Sequence, residues 1–131
     1  MTKEFKYLTR IYYEDTDAAG VVYYANYLKF LERARSEAIY SLGLSNKKLL
    51  DKEGVIIIVK SCNIEYKKSA KFEDELEIIS SILSKTKTSF TMLQIIKKNE
   101  EIISEATVQL VTVNKEGKPI KIPEILNNLL N

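Results

Sequence analysis

Seven consecutive residues, Glu14-Asp15-Thr16-Asp17-Ala18-Ala19-Gly20, set three carboxylates within four positions and end on two small residues and a glycine. Carboxylates can serve as nucleophiles, general bases or cation ligands. The chain has no histidine, which removes Ser-His-Asp and Cys-His catalysis, histidine general bases and His-ligated zinc. Chemistry must then rest on carboxylates, Tyr, Lys, Ser/Thr or backbone amides. The acidic loop lacks the ligand spacing of an EF-hand, and no completing cluster stands elsewhere, so no metal is expected. Gly20, Gly43, Gly54 and Gly117 are spaced neither for a G-x-G-x-x-G turn nor for a phosphate loop. On residue type alone, Asp15 and Asp17 read equally well as turn formers bonding nearby amides.

The elements around this loop must position it. Phe5 to Tyr13 carries Phe5, Tyr7, Ile11 and Tyr13 on one parity, the pattern of a half-buried first strand. After the loop, Tyr27, Leu28, Leu31, Ala34, Ala38, Ile39 and Leu42 recur at three- and four-residue steps, which predicts a long helix with one apolar stripe. Asn26 is its expected N-cap and Gly43 its stop, and Ser45 opens a short second helix towards Glu53-Gly54. The period then becomes that of strands: Val55–Tyr66, Phe72–Leu83, Ser89–Lys98 and Ile102–Val113 are rich in Ile, Val, Thr and Tyr. Consecutive antiparallel pairing is the simplest topology for them. Pro123 suits the first position of a closing helix through Leu130. The expected fold class is α+β, a curved antiparallel sheet with one helix across its face, and a sheet with free edges predicts at least a dimer.

With 131 residues, 45% of them hydrophobic, the chain suits one domain over residues 1–131. Twenty basic residues against 18 acidic leave +2, too even for a general grip on nucleic acid. Cys62 has no intrachain partner, which favours a reducing compartment, and its apolar surroundings predict a small core residue. Met1–Phe5 lacks the apolar run of a secretory signal, and the aliphatic run Val55–Val59 is far short of the ~20 residues of a membrane span. A soluble, cytoplasmic protein without membrane insertion is expected.

The segment Arg10-Ile11-Tyr12-Tyr13-Glu14-Asp15-Thr16-Asp17-Ala18-Ala19-Gly20-Val21-Val22-Tyr23-Tyr24-Ala25-Asn26-Tyr27, continuing to Gly43, resembles the hot-dog-fold acyl-CoA thioesterases of the 4-hydroxybenzoyl-CoA thioesterase type, including the branch associated with the bacterial Tol–Pal envelope system. That family's pattern, D-x-D-x-x-G-[VI]-V-[YFW]-[HY]-x-N-[YF], is matched at every position from Asp15 to Tyr27. Val59–Tyr66 and Phe72-Glu73-Asp74 resemble its second strand and the acidic turn after it. The resemblance implies a five-stranded antiparallel sheet wrapped around one long central helix. It also implies dimers or tetramers that hydrolyse acyl-CoA at a subunit interface without metal or cofactor. Carried over position by position, Asp17 is the nucleophile or general base, and the backbone amide of Tyr24 polarises the thioester carbonyl.

The chemistry supports those roles. An aspartate carboxyl, with a pKa of about 3.9 in water, is ionised at neutral pH without help from histidine. Free amides at a helix N-terminus, aided by the helix dipole, can stabilise an oxyanion just after the Gly20 turn. Asp15 is expected to bond loop amides or Arg10, and Glu14 to be a solvated rim group. By position relative to the family's strands, Lys60, Lys85 and Lys87 are candidates for coenzyme A phosphates, and Tyr13, Tyr23 and Val59 for the lining of an apolar acyl groove. Of the run Glu32, Arg33, Arg35 and Glu37, Arg33 and Glu37 can pair at i,i+4, or members can pair across a dimer. Tyr24 resembles the 4-hydroxybenzoyl branch, where many Tol–Pal relatives carry His, whereas Asn26–Glu37 resembles the Tol–Pal branch. The implied substrate is a short aliphatic acyl-CoA, with an aryl-CoA or a non-catalytic acyl- or acyl-carrier-binding module as alternatives.

Overall fold

The computed structural model describes residues 3–130, the side chains of residues 128 and 129 excepted. Strand β1 (Glu4–Arg10) leads through the acidic loop to helix α1 (Asn26–Tyr40), and a short helix α2 (Asn46–Lys48) continues as a π-helical turn, Leu49–Glu53. Four strands follow, β2 (Ile56–Tyr66), β3 (Glu75–Lys85), β4 (Ser89–Lys98) and β5 (Glu101–Val113), and helix α3 (Glu124–Leu130) closes the chain. The elements read from periodicity are present, with boundaries moved by a few residues. The first strand stops at Arg10, because Ile11 turns away to pair its main chain with Glu73 and Asp74. The third begins only at Glu75, since Phe72 to Asp74 form a turn in which Glu73 has φ of +69°.

All five strands form one antiparallel sheet in the order β1-β3-β4-β5-β2. Simple consecutive pairing is therefore corrected at β2, which lies against β5 at the far edge while β3 pairs with β1. The reason is the helix. An α1 of 15 residues, about 22 Å long, has to cross beneath the sheet between β1 and β2, so the chain re-enters on the opposite edge. Burial alternates strictly along β4, where Phe90, Met92, Gln94 and Ile96 face inward. They join Leu76, Ile78, Val108 and Leu110 over the buried stripe Phe30, Leu31, Ala34, Ala38 and Ile39 of α1.

A long polar side chain sits inside this apolar layer. Gln94 is fully buried, donates from Nε2 to Leu31 C=O and Ser80 Oγ, both at 3.0 Å, and accepts at Oε1 from Arg35 Nη1 at 2.9 Å. The amide thus bolts α1 to β3 and β4. Burial pulls the Arg35 guanidinium below its ordinary range, against the opposing fields of Glu32 and Cys62.

Cys62 is not a core residue. It pairs with buried Val108 and so stands on the helix side of the sheet, yet it is exposed. Being on an edge strand, β2 has a neighbour on one side only, and Cys62 stays uncovered among the described residues while Ile57 and Ile64 of the same strand pack against the core. Among the described residues, no helix is long and apolar enough to cross a membrane.

Candidate active site

The acidic loop is a tight excursion with two arms. On the first, a short 3-10 turn spans Tyr13–Asp15, and the Asp15 carboxylate accepts the Tyr12 N–H at 2.9 Å. Asp15 is buried and structural, and it reaches the loop amide rather than Arg10, whose guanidinium bonds Glu75 and the Glu73 carbonyl. The arms join where Thr16 bridges Val22 and where the Asp17 N–H donates to Val21 C=O at 2.9 Å. At the exposed tip, Gly20 N–H closes a turn onto Asp17 C=O at 3.0 Å, with φ of +81° at Gly20, a conformation glycine adopts without strain. The Asp17 carboxylate is exposed and takes the Ala19 N–H on Oδ1 at 2.9 Å.

The second arm runs into α1. Tyr23 N–H donates to Asp15 C=O at 3.0 Å, and Asn26 N–H to Tyr23 C=O at 2.8 Å. The N–H of Tyr24 meets no acceptor among the described residues, as befits the peptide just before a helix whose first turn has no side-chain cap. Asn26 is not the N-cap expected of it. Ala25 occupies that position, and Asn26 lies within the helix, its Nδ2 donating sideways to Asp15 C=O at 2.9 Å.

Aromatic rings surround these groups. Tyr13 is exposed and stacks on Phe72 with centroids 4.0 Å apart. The rings of Tyr23 and Tyr24 lie at 5.0 Å, and Tyr24 meets Tyr66 edge-on at 6.1 Å. The Tyr66 hydroxyl donates to Tyr24 C=O at 3.2 Å. Burial, then the fields of Cys62, Tyr24 and Tyr27, raise the Tyr66 pKa, which keeps this donor protonated at neutral pH. Sequence reasoning missed Tyr66 and Phe72. Both lie more than 40 residues downstream, in segments whose resemblance is to a strand and a turn, and nothing local assigns their rings to the site.

Loop and helix are braced from behind by the β2–β3 connection. Val21 bridges Lys71, and Asp74 accepts the Lys71 N–H at 2.8 Å and pairs with Lys98 Nζ at 2.9 Å. Burial alone pushes the Asp74 carboxyl up, but the Lys71 amide and the Lys98 ammonium outweigh it, so its pKa lies below the ordinary carboxylate value.

The remaining site candidates lie elsewhere in the chain. Val59 lines a cavity of about 180 Å³ with Ile39, Ile57, Phe90, Met92 and Leu110, and Arg35 stands at its wall. Lys60 sits exposed at the bulge of β2, Lys85 at the end of β3 and Lys87 in the following turn. Register fixes the separation. Val59 shares a row with Leu110, Phe90 and Lys85, whereas Tyr66, beside the loop, shares one with Ser104, Ile96 and Ile78. Those rows are six residues apart along β5, about 20 Å. One chain therefore gathers Asp17, Gly20, Tyr23 and Tyr24, with Tyr13 alongside, and holds Val59, Lys60, Lys85 and Lys87 at the other end of its sheet. Among the described residues, no group of three or more His, Cys, Asp or Glu is placed to ligate a metal ion.

A helix under a five-stranded antiparallel sheet, with a carboxylate loop leading into the helix N-terminus, is the architecture of the hot-dog thioesterases. Residues 12–130 match the thioesterase-like superfamily, and the chain belongs to that family. It is 36% identical over 121 residues to the acyl-CoA thioesterase YbgC of Haemophilus influenzae, a match covering 92% of this chain and 89% of that protein. Identity is 38% over 125 residues to the acyl-CoA thioester hydrolase YbgC of Escherichia coli O6:H1, covering 94% and 92%. Among solved structures, a probable thioesterase from Bartonella henselae superposes with a TM-score of 0.89 at 34% identity, covering 92% of this chain and all of the other.

Proposed function

We propose that this chain hydrolyses acyl-CoA thioesters to the free acid and coenzyme A. Asp17 either deprotonates a water that attacks the thioester carbonyl or attacks it directly to form an acyl-aspartyl anhydride that water then hydrolyses; in both routes the Tyr24 N–H receives the developing oxyanion and the thiolate of coenzyme A departs. The observation that carries this reading is that one braced loop holds two groups with no partner among the described residues, a carboxylate oxygen of Asp17 and the N–H of Tyr24. Removing such a base costs ~10²–10⁴ in rate. The relatives named as acyl-CoA thioesterases support it.

The working unit is a homodimer, or a tetramer built from dimers, of this single domain in the cytoplasm. Twofold pairing of the exposed edge strand β2 with its copy is antiparallel, so it sets the Tyr66 end of one chain against the Val59 end of the other. That arrangement brings Asp17 and Tyr24 of one protomer towards Val59, Lys60 and the apolar cavity of its partner. A short aliphatic acyl group suits a cavity of about 180 Å³. An aryl group is the second reading, favoured by the rings of Tyr23, Tyr24 and Tyr66 beside the loop.

The test is release of free thiol from short aliphatic, long aliphatic and aromatic acyl-CoAs by wild type and Asp17→Asn. Turnover by wild type and its loss in the variant are expected, and the preferred substrate separates the two acyl classes. Binding of acyl-CoA without turnover of any of them would overturn the enzymatic reading in favour of an acyl-binding module.

A further inference from the structure

Two consecutive residues at the start of α1, Asn26 and Tyr27, are polar and buried, at 9% and 3% exposure. Burying an amide and a phenol is unfavourable unless both are bonded, so their partners indicate what they are for. Neither bonds within the helix. Asn26 Nδ2 donates to Asp15 C=O at 2.9 Å, on the first arm of the loop, and that carbonyl also receives Tyr23 N–H at 3.0 Å. Tyr27 Oη accepts the N–H of fully buried Ala70 at 3.0 Å, and Ala70 C=O accepts Val22 N–H, on the second arm, at 2.9 Å. The two arms meet at the tip through Asp17 N–H and Val21 C=O. Tyr27 N–H in turn donates to Tyr24 C=O at 3.3 Å. Burial raises the Tyr27 pKa, against the Ala70 hydrogen bond and with Asp74, so the phenol stays neutral at physiological pH.

We infer that Asn26 and Tyr27 are positioning residues, a two-sided clamp in the first turn of α1 that holds the Asp17 carboxylate in register with the Tyr24 amide. This rests on the thioesterase reading for its purpose, though not for its geometry. Neither side chain is placed to touch substrate. Asn26 fixes the arm before Asp17 and Tyr27, through Ala70, the arm after it, so the carboxylate and the amide share one rigid frame. Displacement of a reacting group by ~1 Å costs about a hundredfold in rate.

The experiment compares Asn26→Ala, Tyr27→Phe and a control, Ser80→Ala, in the full chain. Ser80 is fully buried in the middle of β3, accepts from Gln94 Nε2 at 3.0 Å, and lies three strands from the β2 edge and away from both ends of the sheet. Steady-state kinetics, urea unfolding and amide hydrogen exchange are measured on each. The expected result is a fall in kcat of about 10- to 100-fold in both clamp variants, with KM within about threefold of wild type. Ser80→Ala loses comparable stability but keeps kcat within about twofold. Exchange accelerates at Tyr23 in Asn26→Ala and at Val22 in Tyr27→Phe. If kcat merely tracks stability across all three variants, the positioning role is overturned. Unchanged exchange at Tyr23 and Val22 overturns the clamp itself. Wild type inactive on every acyl-CoA tried would end the thioesterase reading and the catalytic role of the clamp together, and exchange would still report whether the loop is held.

Discussion

Asp17 Oδ1 accepts the N–H of Ala19 at 2.9 Å, while its Oδ2 is bonded to no donor among the described residues. A side-chain bond two residues along the chain is a local turn that fixes the rotamer of the aspartate. One oxygen orients the carboxylate, and the other keeps its lone pairs for a reacting atom or a water.

If placement matters as much as charge, Asp17→Glu is a harsher change than its conserved charge suggests. The added methylene carries the carboxylate beyond the Ala19 amide. A loss of about 10²-fold or more in kcat is expected, with the urea unfolding midpoint near wild type. Activity within a few-fold of wild type would show that the Ala19 contact does not set the geometry.

Gln94 joins α1 to two strands in an apolar layer. Gln94→Leu fits a similar volume but leaves the Leu31 carbonyl with no side-chain donor and takes the acceptor from the part-buried Arg35 guanidinium. A destabilisation of about 2–4 kcal/mol by urea unfolding is expected. A value under about 1 kcal/mol would mean that the amide contributes little beyond its packing.

Asp74 predicts a pH signature. Its folded pKa lies below the ordinary value of 3.8, so its contribution is present above that value and is lost as pH falls through the lowered folded value. Asp74→Asn is accordingly less stable than wild type at neutral pH, by about 1 kcal/mol for a charged hydrogen bond. The gap closes below about pH 4 as the wild-type carboxyl takes up its proton. A gap that stays constant from pH 7 to pH 2.5 would assign the effect to something other than this carboxylate.

Cys62 reports on the proposed dimer. It lies on the helix side of the exposed edge strand, so pairing of β2 with its copy covers it. Labelling by a thiol reagent is expected to be slow at high protein concentration and at least about tenfold faster on dilution below the dissociation constant. A rate independent of concentration, together with a monomer mass by light scattering, would place the interface elsewhere.

Much of the fold was legible because periodicity reports burial. Of the expected stripe, Tyr27, Leu31, Ala34, Ala38 and Ile39 are buried on α1, whereas Leu28 turns out to solvent and Phe30, absent from that reading, is buried in its place. Asn26 was misread for a reason that generalises. Asn before an apolar helix has the composition of a cap, and only the three-dimensional path of the loop puts the Asp15 carbonyl within reach of its side chain.

By itself the sequence determined the chemistry available to this protein and where it is concentrated: no histidine, one carboxylate loop around Gly20, and an apolar helix immediately after it. These depend on residue type and short spacing, which the chain carries wherever it goes. Tertiary structure alone decided that β2 lies at the far edge, that Cys62 is uncovered, and that the loop end and the Val59 end of the sheet are about 20 Å apart. Alternation tells a strand which face to bury but not which strand to join, and that choice was made by contacts between residues forty or more positions apart.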